Sequence, residues 1–201
     1  MNVHLEGIIH AFKTGNWCVL DTETTGLDHA EVCQIAVINP HGGIELDTLV
    51  CTKYPIPPDA THIHGITNDM VRDAPTWPLL LPEITRLLTG TNVIVYNALY
   101  DRKIMHQTGE RWGLPKTDWK ALSDWHCAME AFAPIYGDWN HYRQSYRWQK
   151  LATAAQYYGA PVEGAHSALG DCRMTLSVTL AMIADGISGQ LAGANSPQDA
   201  I

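Results

Sequence analysis

Five side chains in this sequence have the types and spacing of a reaction centre. They are Asp21 and Glu23 in Asp-Thr-Glu-Thr-Thr-Gly-Leu, Asp101 in Asn-Ala-Leu-Tyr-Asp, and His166 with Asp171 in His-Ser-Ala-Leu-Gly-Asp. Asp21 and Glu23 follow the apolar run Trp17, Cys18, Val19, Leu20, so a strand there points both carboxylates to one face near its end. If Asp101 and Asp171 join them, each close pair of like charges costs roughly 4 kcal/mol at a near-surface effective dielectric. A divalent cation among the four would remove that cost. Carboxylate donors without thiolate or imidazole select hard cations, so Mg²⁺ or Mn²⁺ is favoured over Zn²⁺.

The elements that must position these groups are legible as patterns. Strand-like segments at residues 17–21, 31–39 and 44–52, the last two joined by Pro40-His41-Gly42-Gly43, predict an antiparallel three-strand meander. Two short helical pieces around His62 and Asp69 and a helix over residues 77–88 follow. The run Val93 to Val95 predicts a fourth strand ending at Asn97, and residues 99–108 a helix with Asp101 in its first turn. Later helices are expected over 148–158, with Leu151, Ala154, Ala155 and Tyr158 on one face, and over about 167–184, with Leu176, Leu180 and Ile183 inward. Together these describe an α/β fold: a mixed sheet, the meander plus parallel strands, flanked by helices. Ligands in such folds collect at the carboxyl ends of strands, where Asp21, Glu23 and Asp101 fall. The domain is expected to cover residues 15–186, with an N-terminal extension (1–14) of either helix or strand and a disordered tail (187–201).

Composition narrows the classes. A net charge of −8 over 201 residues argues against a protein that grips polyanions along an extended basic surface. Action at a strand end is still allowed, because a bound cation would reverse the local field where a phosphate docks. No apolar run approaches the roughly 20 residues that span a bilayer, and the N-terminus lacks a basic segment followed by an apolar one. A cytoplasmic protein with no membrane partner is the expectation. The five cysteines are scattered, odd in number and without a CxxC pair, as expected of small buried hydrophobes in a reducing compartment.

In order, Asp-x-Glu-Thr-Thr-Gly-Leu at 21–27, Asn-Ala-x-Tyr-Asp at 97–101 and His-x-Ala-x-x-Asp at 166–171 resemble the three motifs of the DEDDh, or DnaQ-like, exonucleases. That group includes polymerase proofreading subunits, RNase T, oligoribonuclease, exonuclease X and the TREX enzymes. The resemblance covers most of residues 15–185, and Ile63-His64-Gly65-Ile66-Thr67 resembles a loop of DnaQ, exonuclease X and TREX. It implies an RNase H-like fold and 3′ to 5′ release of nucleoside monophosphates, from DNA in preference to RNA, with two Mg²⁺ or Mn²⁺ ions as cofactors. Such ions, roughly 3.5–4 Å apart, clamp the attacking water and the leaving 3′ oxygen. By resemblance Asp21 bridges the ions, Glu23 and Asp171 hold the one that activates water, and Asp101 supports the other. His166, with a reference pKa of about 6.5, would lie in a mobile loop and take the proton from that water. Thr24, Thr25, Gly26 and Leu27 would meet the terminal nucleotide, the threonines and glycine through backbone groups and the leucine as a wedge, which core packing rivals. His64 and Ile66 would line the nucleotide pocket, displacing an HxH metal pair of His62 and His64. Asn97 would either contact substrate or cap the helix that follows.

None of the motifs covers residues 112–148, which hold five of the seven tryptophans, with Tyr136, Tyr142, Tyr146, Arg143 and Arg147 interleaved. Three readings stay open: a base-stacking surface for single strands, a docking site for a polymerase or second subunit, or a packed subdomain with a strand near Leu122 and a helix over 127–132. The function is accordingly expected to be that of an autonomous exonuclease, with an exoribonuclease of the RNase T or oligoribonuclease kind and a partner-bound proofreading subunit as alternatives.

Overall fold

The computed structural model describes residues 2–194, with side chains as far as residue 188. The chain opens with α1 (Val3–Thr14), capped by the Asn2 side chain, which accepts from Leu5 N–H at 3.2 Å. Gly15, in the left-handed region at φ 71°, ends it. Strands β1 (Trp17–Thr24), β2 (Val32–Ile38) and β3 (Ile44–Leu49) follow, then α2 (Pro58–His64), α3 (Asn68–Val71) and α4 (Trp77–Leu88). Strand β4 (Asn92–Val95) leads into α5 (Ala98–Arg111), and α6 (Trp119–Leu122) into β5 (Asp124–Cys127). Helix α7 (Ala128–Tyr136) precedes a small hairpin of β6 (Trp139–Asn140) and β7 (Ser145–Tyr146). Helices α8 (Leu151–Tyr157) and α9 (Ala168–Ala194) close the described chain.

The main sheet has the order β3-β2-β1-β4-β5, antiparallel across β3-β2-β1 and parallel across β1-β4-β5. This is the expected mixed sheet. Strands β1 and β2 are nearly continuous buried runs, as strands covered on both faces must be. At the edge, β3 keeps Glu45 and Asp47 in solvent, where charge discourages pairing with another chain.

Alternation along β1 assigns the two helical layers. Thr22 and Thr24 turn toward α5, where they meet Asp101 and Tyr100. Asp21 and Glu23 turn the other way, toward Asp171 on α9. Helix α9 is held to the sheet by Ala168 N–H donating to Gln34 Oε1 at 3.1 Å and by the Cys172 thiol against the Val19 and Ala36 carbonyls. Its inner stripe is Ala168, Cys172, Thr175, Thr179 and Met182. Of the expected stripe of Leu176, Leu180 and Ile183, Ile183 is buried and Leu176 is half-buried against the core, but Leu180 is corrected, being 39% exposed. Apolarity alone misplaces a face built largely of Cys, Thr and Met.

Two further expectations change. Helix α1 is no appendage, because Ile8, Ile9 and Ala11 are buried in the main core. A Cβ on Gly186 of α9 would stand 2.9 Å from Ile9 Cδ1, so glycine there lets the two helices meet. Helix α9 also runs through residues 187–194 of the expected tail, and the rest of that tail lies outside the described residues. All five cysteines are free, four of them buried. Among the described residues no helix is long and apolar enough to cross a membrane. Truncating Ile8 to Ala is expected to cost about 2–5 kcal/mol, read as a lower urea midpoint with an unchanged slope; a midpoint equal to the parent's would mean α1 packs only loosely.

Candidate active site

Strand β1 carries the first two carboxylates and α9 delivers a third. One oxygen each from Asp21, Glu23 and Asp171 lies within 4.8 Å of the others. Asp101 lies outside that trio, yet its charge is the foremost of those acting on Asp21. It is buried on the α5 side of β1, where Thr22 Oγ1 donates to its Oδ1 at 2.7 Å.

Burial pushes every one of these acids upward, and mutual repulsion adds to the rise of three of them. Asp21 is raised well above the usual carboxylate range by burial, then by the charges of Asp101, Asp171 and Glu23. Glu23 is pushed to about 8 by burial, then by Asp171 and Asp101. Asp101 reaches about 7 through burial, against which the Thr22 hydroxyl and backbone N–H groups pull down. Asp171 is raised by burial, opposed by the His166 backbone N–H and the His166 charge. Four carboxyls held above their normal range, three with oxygens converging, form a donor set that fits a hard divalent cation.

His166 sits in the loop before α9 with φ 64°, a left-handed conformation that is uncommon outside glycine. Its N–H donates to Asp171 Oδ1 at 3.3 Å, while its exposed ring makes no hydrogen bond among the described residues. The loop folds on itself: Ser167 donates through both N–H (3.1 Å) and Oγ (2.7 Å) to Gly164 O. That carbonyl lies against Gly170, where a Cβ would stand 2.0 Å from it, so the loop can rest here only on a bare Cα.

The stretch after Glu23 is built from within. Thr24 Oγ1 lies 2.9 Å from Gly26 O and 2.6 Å from Tyr100 OH, and Tyr100 OH lies 2.7 Å from Gly26 O. Thr25 Oγ1 accepts from Glu31 N–H at 2.9 Å. Both threonine side chains are thus committed to the loop, leaving backbone groups and Leu27 to face outward. Leu27 is 77% exposed, which removes the core-packing reading for it.

Of the pair expected to line the nucleotide pocket, Ile66 is enclosed and His64 is half-buried. Ile66 is 3% exposed, packed with Cys33, Ile56, Ala60 and Val71 in a second small core. Its N–H donates to His64 Nδ1 at 3.1 Å, so the proton on Nε2 faces Thr24 O at 3.2 Å. Burial lowers the pKa of His64, and this neutral ring ties α2 to the end of β1. His62 is exposed and apart from the carboxylates. Asn97 occupies the cap position of α5 without a side-chain capping bond and lines a neighbouring cleft. Thr22 and Tyr100 are site residues that motif reading passed over, although strand alternation marks Thr22 as the residue aimed at the opposite layer.

Comparison with known proteins agrees with this geometry. The family model described as "Exonuclease" matches residues 18–179. An uncharacterized exonuclease, CP81, of Escherichia phage 186 is 42% identical over 171 residues, covering 83% of this chain and 88% of the relative. The DNA polymerase III epsilon subunit of Treponema pallidum is 31% identical over 169 residues, covering 82% and 74% respectively. In three dimensions, exonuclease X in complex with 5′ overhanging duplex DNA superposes with a TM-score of 0.63 at 24% identity, covering 86% of this chain and 93% of that one. The nuclease domain of 3′hExo, a DEDDh family member bound to rAMP, gives 0.65 at 19% identity with the same coverage. With its sheet order, its converging carboxylates and these relatives, the chain belongs to the exonuclease family, as a DnaQ-like DEDDh enzyme with the RNase H-like fold.

Proposed function

We propose that this enzyme removes nucleotides one at a time from the 3′ ends of DNA, from single strands or frayed ends, releasing nucleoside 5′-monophosphates. The observation that carries the reading is the convergence of Asp21, Glu23 and Asp171 within 4.8 Å, beside the loop that presents His166. Asp21, Glu23 and Asp171 are assigned to hold two Mg²⁺ or Mn²⁺ ions, with Asp101 supporting the second. Such ions, when bound, supply Lewis acidity to the attacking water and the leaving 3′ oxygen.

The chain's own groups do the rest. A ring nitrogen of His166 takes the proton of the attacking water, for which its freedom from other hydrogen bonds suits it. The backbone of 24–26, stiffened by Tyr100, receives the terminal nucleotide, and exposed Leu27 packs against its base. DNA is favoured because the Treponema relative is a DNA polymerase III subunit. The same relationship supports a second reading, in which a polymerase holds the chain as a proofreading partner.

Three outcomes are expected. First, the protein should release monophosphates from 3′-labelled DNA in Mg²⁺ or Mn²⁺, with Asp21→Ala and His166→Ala each lowering kcat by roughly 100- to 10,000-fold. No release from single-stranded DNA, duplex DNA or RNA, with Asp21→Ala matching the parent, would sink the enzymatic reading. Second, Thr22→Val removes a bond that lowers the Asp101 pKa, so that pKa should climb further. Activity should drop about tenfold or more at pH 7, given about 1.5–3 kcal/mol for a bond to a charged group, and recover in part near pH 9. An unshifted pH profile would show the bond to be idle. Third, folded-state pKa values above the unfolded ones mean that the native state binds the extra protons, so the metal-free protein should lose stability as pH rises from the ordinary carboxylate range through about 8. Melting in EDTA across pH 5–8.5 should show that loss, and Mn²⁺ at a hundredfold excess over its Kd should return about 2.7 kcal/mol at pH 8; a flat profile insensitive to metal would count against the cluster as a cation site.

A further inference from the structure

The basic residues of this acidic chain are unevenly spread. Residues 102–150 contain eight of its Lys and Arg but five of its Asp and Glu, a local net charge of +3 within a total of −8. Several of them converge on a cleft of about 660 Å³ whose lining includes Asn97, Leu99, Arg102, Lys120, Trp125 and Trp148. One end of the cleft is the first turn of α5, the same turn that carries Asp101. The cleft thus shares a helix turn with the carboxylate site.

Its walls offer flat apolar faces beside cations. The Arg102 guanidinium lies 5.5 Å over the Trp125 ring, and Trp125 is itself fixed by Nε1 donating to Trp119 O at 2.8 Å. Trp148 is 63% exposed at the far end. The residue after it is anchored, since Tyr96 OH donates to Gln149 O at 2.8 Å. The hairpin of β6 and β7 leads directly into Trp148. It is stiffened by the Trp139 and Tyr146 rings, edge to face at 4.9 Å, and by Asn140 Oδ1 accepting from the N–H groups of Tyr142 and Arg143. Tyr142 at its tip is 96% exposed. Among the described residues Arg102 and Lys120 form no ion pair; of the two acids in the lining, Glu130 is paired with His4 at 3.4 Å and Asp124 is exposed.

We infer that this cleft, from Asn97 to Trp148, binds the single-stranded segment of substrate upstream of the nucleotide being removed, with Trp148 stacking on a base and Arg102 and Lys120 meeting phosphates. The inference rests on the exonuclease reading of the neighbouring site and adds where the remaining strand lies. At about 660 Å³ the cleft is the size of a small-molecule pocket, which suits a few unpaired nucleotides. Aromatic faces beside cations are what a single strand meets in proteins that bind it without sequence preference.

The test uses the full chain in EDTA, which halts hydrolysis, with fluorescein-labelled oligothymidylates of about 3 and about 12 nucleotides read by anisotropy. The parent should bind the longer one more tightly. Trp148→Ala should weaken the longer oligomer by roughly 5- to 150-fold, the equivalent of one lost stacked base, and Trp148→Phe should restore most of it. Lys120→Ala and Arg102→Ala should each reduce the slope of log Kd against log salt by about 0.7, with unchanged melting temperatures showing that the fold is intact. Affinity independent of length in the parent, variants that bind the longer oligomer as the parent does, or equal affinity for a matched blunt duplex would each overturn the inference. Release of mononucleotide from the 3-mer by the parent in Mn²⁺ tests the exonuclease reading by itself, so the two can fail separately.

Discussion

The site depends on four carboxylates buried together at one end of β1, where burial first and mutual charge second oppose their ionisation. Burial alone raises Asp21, Glu23, Asp101 and Asp171, and their mutual charge raises most of them further. A free chain would relieve that cost by moving the acids apart. This one cannot, because the strand that bears the first two is central, paired on both edges and covered on both faces. Rigidity of the scaffold is therefore what keeps a poised anionic site, and the cation it suits is the natural release of the tension.

The alternation of β1 divides that site into two layers with different jobs. On one side Asp21 and Glu23 meet Asp171, and on the other Thr22 and Thr24 engage Asp101 and Tyr100. A one-residue slip would exchange the two sets and destroy both. The register is fixed at a distance: Gln34 of β2 holds the start of α9, and Thr108 of α5 accepts from Val32 N–H at 3.0 Å where the β1–β2 pairing is irregular. Helix α9 in turn leans on α1 through the bare Cα of Gly186. The first helix thereby supports the acid that lies farthest from it in sequence.

Much of this was legible because it depends on local pattern. The meander, the helix at 77–88, the position of Asp101 in the first turn of α5 and the family motifs all follow from runs of residues read in order. What escaped depends on contacts between distant segments. The inner face of α9 uses Cys, Thr and Met, which a search for leucines passes over. His64 and Ile66 look available in a polar loop, yet one is held by Thr24, far away in sequence, and the other is enclosed by a second core. Thr22 was hidden by its neighbours, since between two catalytic-looking acids a threonine reads as a spacer until the opposite layer is known.

The tryptophan-rich stretch shows the same division most plainly. In its first half Trp119 is buried and Trp125 is bonded to its carbonyl, which makes that half a packed wall, as the reading of a subdomain required. In its second half Trp139, Tyr142, Tyr146 and Trp148 keep substantial exposure around a hairpin with its own stiffening. A sheet edge or core position would have punished such exposure, whereas a hairpin beyond the last strand of the sheet does not. The stretch is therefore neither all support nor all surface: its inner half builds α6 and β5 into the fold, and its outer half keeps aromatic rings exposed without disturbing the strand that holds the carboxylates.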